Sequence, residues 1–240
     1  MIKNSPQSYA RLTGVLLIIS ILAGGFGEIF VGSHLIVPGD AIATANNITN
    51  SGFLFRLGFA SYLVEAICDV ILVWVMYLLL KAVNKEIAFL SVLFGIVATV
   101  TFAFAELFYF AALLILDNAD YMKTFSLNQV NSLAFLSLRL YGYGGGIFMA
   151  FYGLASILRG YLILKSGYLP KFLGILIVIG GACFVIRNFA LVLTPTHAPD
   201  FLLLPLMLGM LAFSIWLLGK GINIVKWKES QSRYEAQKFR

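Results

Sequence analysis

Six long apolar stretches, separated by short polar segments, constrain this chain more than any other feature of its sequence. A helix needs about 20 residues to cross the hydrocarbon core of a bilayer, and each stretch reaches that length. Because backbone groups in lipid must be satisfied within the segment itself, stretches of this kind are expected to be helical. The sequence therefore predicts an all-α fold, a single domain of six transmembrane helices with spans at residues 12–31, 57–80, 87–116, 134–158, 170–193 and 201–219 and a tail at 220–240.

The composition is that of a protein surrounded mainly by lipid. Only 12% of the residues are charged and 60% are hydrophobic, whereas a soluble domain carries about 25% charged residues. The net charge of +6 does not indicate a nucleic-acid partner, because the basic residues lie mainly between the apolar stretches and in the tail. The lipid bilayer is the expected partner, and whether copies of the chain form a homo-oligomer stays open.

The basic residues also predict the orientation of the bundle. Cytoplasmic loops of membrane proteins carry an excess of Lys and Arg. All but four of the 17 Lys and Arg residues fall on one side of the predicted bundle, the others being Arg56, Lys123, Arg139 and Arg187. Both termini are therefore expected in the cytoplasm, with Tyr9, Tyr161, Tyr168 and Trp227 near the inner boundary of the bilayer.

Local signals predict where several helices begin. Ser5 followed by Pro6 is typical of a helix N-terminus. Asp40 is expected to cap a short surface helix, and Ser126 with Gln129 forms a capping-box pattern that starts a helix ahead of the fourth span. Pro170 is tolerated at the N-terminus of the fifth span.

Ionisable residues within or at the rims of the apolar stretches are the main candidates for function. A charge in the bilayer interior is costly, so such residues usually face the bundle interior and find partners. Counting helix rise from the basic turns places all of them in the outer part of the bundle, with Asp69 deepest, roughly 18 Å from Lys81. They are Glu28, Arg56, Glu65, Asp69, Glu106, Arg139 and Arg187.

Two of these acids share one face of the second span. Glu65 and Asp69 are four residues apart, and Tyr62 lies on the same face. Like charges at this spacing repel, so in a low dielectric at least one carboxylate is expected to bind a proton or a cation. Arg139 and Arg187 are the expected partners if their helices face this span.

A glycine-rich run in the fourth span adds hydrogen-bond donors. The run Tyr141–Gly146 contains four glycines, which allow a bend or a close helix approach. Its tyrosines, Tyr143 among them, can donate hydrogen bonds inward.

Three hypotheses of function stay open. The leading one is a non-enzymatic protein that binds or transports a small polar or cationic ligand through an outward-facing pocket. The second is an intramembrane enzyme that acts on a lipid with a carboxylate as general base. The third is a structural or regulatory partner whose charges only form interhelical ion pairs. The candidate ligand-binding residues are Glu28, Arg56, Tyr62, Glu65, Asp69, Glu106, Arg139, Tyr143 and Arg187.

The sequence predicts no metal, no cofactor and no catalytic residue. Its two histidines, His34 and His197, both fall in predicted outer loops, whereas a zinc site needs several converging ligands. Neither a Gly-x-Ser-x-Gly elbow nor a phosphate-binding Walker loop is present.

Several motifs together resemble those of the bacterial family called domain of unknown function 4386. The resemblance rests on the first span, Gly14–Glu28, on Phe55–Gly58 leading into a span that contains Asp69, and on Tyr161–Ile163 followed by Ser166–Gly174. It covers nearly the whole chain. It implies a single six-helix domain in a prokaryotic plasma membrane, and it implies no activity.

Overall fold

Helices make up the regular structure of this chain. The computed structural model describes residues 5–117, 120–194 and 199–238, and this part of the chain contains no strand. A π-helix, Phe26–Gly32, continues the first helix, and short 3-10 turns cover Asp120–Met122 and Asp200–Leu203. The α-helices are α1 Pro6–Gly25, α2 Ser33–Leu35, α3 Ala41–Asn50, α4 Gly52–Leu80, α5 Lys85–Leu116, α6 Leu127–Ser166, α7 Lys171–Leu193, α8 Leu204–Gly219 and α9 Ile224–Lys238.

The number of spans agrees with the hydropathy pattern. Within the described residues, six helical stretches are long and apolar enough to cross a membrane: Pro6–Leu35, Gly52–Leu80, Lys85–Leu116, Leu127–Ser166, Lys171–Leu193 and Asp200–Gly219. The all-α fold with six spans is thereby confirmed. Most of these helices extend beyond the predicted apolar runs, because a helix continues into polar residues once its backbone bonds are established.

The predicted helix starts are also confirmed. The side chain of Asp40 accepts a 2.9 Å hydrogen bond from the backbone N–H of Ala43 at the start of α3. The backbone N–H of Ser126 donates a 2.8 Å bond to Gln129 Oε1, as in a capping box. Pro6 is the first residue of α1, and Pro170 directly precedes α7.

The fourth span ends later than predicted. The sequence places its end at residue 158, but α6 continues to Ser166 and Arg159 is only 7% exposed. The four residues Tyr161–Leu164 are apolar, so the helix stays in apolar surroundings as far as Lys165. The chain then turns at Gly167, whose φ of +70° favours glycine and ends a helix.

The C-terminal tail forms an additional helix, α9, that composition alone did not predict. Ser230 Oγ donates a 3.0 Å hydrogen bond to the backbone carbonyl of Ala82, and Trp227 Nε1 donates one of 3.4 Å to that of Leu79. These bonds fix α9 to the turn that follows α4.

The chain divides into two compact units, each described by itself. Unit one contains the described residues of Met1–Ile19, Cys68–Thr99 and Ile147–Arg240, and unit two contains those of Ser20–Ile67 and Val100–Gly146. The core of unit one is mainly aliphatic and includes Leu72, Leu79, Leu162, Leu173 and Leu217. Unit two buries aromatic side chains, among them Phe55, Tyr62, Phe102 and Tyr109.

Glycine pairs produce a close contact between α6 and α7 in unit one. A Cβ on Gly153 would lie 2.7 Å from the carbonyl oxygen of Gly181, and a Cβ on Gly181 would lie 2.6 Å from that of Gly153. Gly160 and Gly174 form the same reciprocal contact, at 2.8 Å in both directions. Because small residues let helix backbones approach closely in membranes, these pairs hold α6 directly against α7.

Candidate functional site

The candidate site in unit two begins with Glu28, which lies on the π-helix that continues α1. The hydroxyl groups of Tyr62 on α4 and Tyr141 on α6 both donate to Glu28 Oε2, at 3.0 Å and 2.9 Å. One carboxylate oxygen therefore accepts two hydrogen bonds from two different helices. A π-helix turn of this kind is rare and frequently marks a functional site.

Three tyrosine rings pack around this carboxylate. The ring centroids of Tyr62, Tyr109 and Tyr141 lie 5.3 Å to 5.9 Å apart in pairs. Tyr109 also stacks on Phe55, with centroids 4.1 Å apart and planes within 2° of parallel. The Tyr109 hydroxyl donates a 3.4 Å bond to the carbonyl of Phe55. The rings thus form a continuous aromatic contact between α4, α5 and α6.

A second acid of the cluster, Glu106 on α5, is deeply buried. Its side chain is 2% exposed, and among the described residues neither carboxylate oxygen has a hydrogen-bond partner. Glu28 and Glu65 both act on it electrostatically. A buried carboxylate without donors is costly, since it has lost water and gained nothing in return.

Glycines allow the side chains of this cluster to pack tightly. A Cβ on Gly24 would lie 2.5 Å from Glu65 Oε2, and a Cβ on Gly27 would lie 2.6 Å from the Tyr62 ring. On α4, a Cβ on Gly58 would lie 2.7 Å from the Tyr109 hydroxyl. Glu65 itself is partly buried. The cluster therefore consists of Glu28, Tyr62, Glu65, Glu106, Tyr109 and Tyr141, and is called the glutamate–tyrosine cluster below.

The predicted basic residues of unit two lie on its exposed surface. Arg56 stands over the ring of Phe110, and Arg139 over that of Tyr143, each with its guanidinium carbon 5.8 Å from the ring centroid. Tyr143 is 41% exposed. Residues two apart on a helix point in nearly opposite directions, so Tyr141 faces the cluster while Tyr143 does not.

The two remaining predicted residues, Asp69 and Arg187, belong to unit one. The sequence offers Arg187 as a partner for the acids of α4 if its helix faces that span. In the structure Arg187 Nη2 donates to Asp200 Oδ1 at 2.6 Å and Nη1 donates to Asn188 Oδ1 at 3.1 Å. Asp200 directly precedes the last apolar stretch, so hydropathy does not identify it as a partner for a charge in the bundle. Asp69 is 4% exposed and lines a cavity.

Arg159 lines the same cavity and was missed as a site residue. The distribution of basic residues places it on the cytoplasmic side. The apolar residues on both sides of Arg159 were the signal that could have identified it, since an arginine inside an apolar run is a candidate for function.

The described part of the chain has no group of three His, Cys, Asp or Glu side chains placed to hold a metal ion. His34 Nδ1 lies 2.6 Å from the backbone carbonyl of Phe30. His197 lies outside the described residues.

Known proteins supply a family for this chain but no activity. An uncharacterised protein from Archaeoglobus fulgidus is 31% identical over 156 residues, which is 65% of this chain and 78% of that protein. No solved structure matches the chain. A family model described as domain of unknown function (DUF4386) matches residues 12–221. The chain is therefore a member of the DUF4386 family, as its motifs suggested.

Proposed function

We propose that this membrane protein binds a proton within the bilayer, at Glu106 in the glutamate–tyrosine cluster. The observation that carries the proposal is the burial of Glu106 with both carboxylate oxygens unpartnered. An isolated ionised carboxylate is very costly in a low-dielectric environment, and a bound cation removes that cost.

The packing of the cluster favours the smallest cation. The Cβ positions of Gly24, Gly27 and Gly58 are already occupied by neighbouring side chains. The three tyrosine rings are in mutual contact. Of the small polar or cationic ligands that the sequence leaves open, a proton is the one that needs no further space.

A route for the proton follows from the exposure of the members. Glu28 is exposed, whereas Tyr62, which donates to it, is 2% exposed. Tyr62 also interacts electrostatically with both Glu28 and Glu106. Glu28 is thus placed to exchange protons with the surroundings, and Tyr62 and Tyr141 both donate to Glu28 and interact electrostatically with Glu106.

Infrared spectroscopy of the purified protein in lipid tests this proposal. A protonated carboxylic acid has a carbonyl band that is distinct from the carboxylate bands and shifts in D₂O. We expect such a band at neutral pH in the wild type and its loss in Glu106→Gln. Tyr62→Phe should keep the band and slow its exchange in D₂O several-fold.

A matched control uses the same helix and the same substitution. Glu86 lies in the first turn of α5 and is exposed, so Glu86→Gln should leave the band unchanged. A band that survives in Glu106→Gln, or one that is absent from the wild type, would rule out Glu106 as the proton site.

For the membrane setting, we propose a prokaryotic plasma membrane with both termini in the cytoplasm. The support is the excess of basic residues on the side that contains the tail. The described spans also leave many large apolar side chains exposed, Phe53 at 75% and Leu22 at 68% among them, as lipid contact requires. Reporter fusions at the C-terminus test the orientation. A fusion that is active only outside the cytoplasm would reverse it.

A further inference from the structure

An aromatic pair lies on the outside of unit one, where α7 begins and α8 ends. The ring of Phe172, in the first turn of α7, contacts that of Trp216, in the last turn of α8, edge to face with centroids 5.9 Å apart. Phe172 is exposed and Trp216 is partly buried. Aromatic rings at the ends of two membrane spans lie at the depth of the lipid headgroups.

Two lysines flank this pair of rings. Lys220, which follows α8, places its ammonium nitrogen 4.7 Å from the centroid of the Trp216 ring. Lys171 is the first residue of α7 and directly precedes Phe172. Both lysines are exposed, and their side chains are long and flexible, so both ammonium groups can reach one anion beside the rings. The four residues Lys171, Phe172, Trp216 and Lys220 are called the α7–α8 edge below.

The protein does not neutralise the positive charge of the α7–α8 edge. Neither Lys171 nor Lys220 forms an ion pair with a carboxylate of the described residues, whereas Arg233 on α9 is paired with Glu229. The sequences of α7 and α8 contain no Asp or Glu. Two lysines at the membrane surface without an acid beside them attract an anion from their surroundings.

Apolar side chains continue from the α7–α8 edge along both helices. On α7, Ile175 and Ile179 are exposed and lie on the same face as Phe172. On α8, Leu208 and Ile215 share one face and are also exposed. A free phosphate ion would make no use of these side chains. An amphiphile with an anionic head and apolar chains contacts both the lysines and the apolar faces.

We infer that the α7–α8 edge binds an anionic phospholipid. The lipid phosphate lies between Lys171 and Lys220, and its acyl chains lie along α7 and α8. A zwitterionic phospholipid binds less well, because its own cationic group is repelled by the two lysines. The contact with Trp216 holds the Lys220 ammonium group in place before the lipid arrives, which lowers the entropic cost of binding.

Fluorescence of Trp216 tests the inference on the full chain in lipid. The chain has three tryptophans, so the background Trp74→Phe with Trp227→Phe leaves Trp216 as the reporter. Lipids with brominated acyl chains quench a tryptophan at short range. In mixtures of phosphatidylglycerol and phosphatidylcholine, with one or the other brominated, we expect phosphatidylglycerol to bind beside Trp216 at least about fivefold more tightly, the factor that one lysine contributes near an anionic lipid.

The lysine variants show whether this preference comes from the α7–α8 edge. Lys171→Gln and Lys220→Gln should each reduce it, and the double variant should bind the two lipids equally. Lys85→Gln removes an exposed lysine at the start of α5 on the same side of the bundle, and this control should keep the full preference. Equal quenching by the two lipids before any lysine is changed, or a preference that persists in the double variant, would overturn the inference.

Native mass spectrometry repeats the comparison with all three tryptophans present, so a folding defect of the reporter background does not decide the result. The lysine double variant should retain one tightly bound phosphatidylglycerol fewer than the wild type and Lys85→Gln, and equal numbers would contradict the inference. Inorganic phosphate, added at constant ionic strength, should leave the lipid preference unchanged. Loss of the preference in phosphate would show that a free anion occupies the site instead of a lipid.

Discussion

The hydroxyl of Tyr168 donates a 2.6 Å hydrogen bond to the backbone carbonyl of Leu79 near the end of α4. Tyr168 was predicted at the lipid boundary, but its side chain is only 3% exposed and lies in the core of unit one. A tyrosine beside a basic turn can therefore hold the segment between α6 and α7 against α4 instead of facing lipid headgroups.

Substitution of Tyr168 should lower the free energy of unfolding without changing the fold. Tyr168→Phe removes the donor and leaves the carbonyl of Leu79 with only the longer bond from Trp227. We expect a loss of about 1 kcal/mol in the free energy of unfolding, the usual net contribution of one buried hydrogen bond. Unfolding in mixed detergent micelles measures it. A stability equal to that of the wild type would show that water or Trp227 fully replaces the lost donor.

Tyr168 should also make the stability of the protein depend on pH in the alkaline range. Burial raises the pKa of the Tyr168 hydroxyl above its usual value of 10.0. The unfolded chain therefore loses this proton at a lower pH than the folded chain. The stability due to the protonated hydroxyl is complete below about pH 10 and declines above it. The difference in unfolding free energy between wild type and Tyr168→Phe should accordingly shrink as the pH rises past that point, and a constant difference would contradict this.

The hydrogen bonds from Tyr62 and Tyr141 to Glu28 should be energetically coupled. Tyr62→Phe and Tyr141→Phe each leave the other donor in place, so each should cost about 1 kcal/mol. The double variant should cost more than the sum, because Glu28 Oε2 then loses both donors. A double-mutant cycle of unfolding free energies measures this coupling. Tyr161→Phe on the exposed surface of α6 serves as the control, and strictly additive costs would show that the two bonds act independently.

The glycine contacts between α6 and α7 should not tolerate a methyl group. In Gly160→Ala the new Cβ would lie 2.8 Å from the carbonyl oxygen of Gly174, a backbone atom that cannot move alone. Overpacking of this kind costs about 1–3 kcal/mol. Gly145→Ala is the matched control, since no atom lies within 4 Å of its Cβ. It should be neutral or gain up to about 1 kcal/mol in helix propensity. Thermal unfolding of both variants compares them, and equal melting temperatures would contradict the close contact.

Hydropathy predicts the spans and most of the candidate acids. It does not predict which of these side chains contact each other. An apolar run shows that a charge lies inside the bilayer, so Glu28, Glu65, Asp69 and Glu106 could all be identified from the sequence. Which neighbours they meet depends on the rotation of each helix, and that is determined by packing contacts such as Gly27 against Tyr62. The π-helix around Glu28 also changes the direction of its side chain in a way that a regular helical period does not predict.

The sequence also does not distinguish a buried arginine from one at the membrane interface. The distribution of basic residues places Arg159 on the cytoplasmic side, and Arg187 is a partner for the acids of α4 only if its helix faces that span. The structure buries Arg159 in a cavity wall and pairs Arg187 with Asp200. Hydropathy averages over a window of residues, so a single buried arginine beside a basic loop has the same signature as an interfacial one.

The glycine contacts between α6 and α7 determine how the longest helix accommodates the thickness of the bilayer. The 40 residues of α6 span about 60 Å, twice the depth of the hydrocarbon core. A free helix relieves such a mismatch by tilting. Since Gly153 and Gly160 fasten α6 to the shorter α7 at two points, the half of α6 that carries them can lean only together with α7.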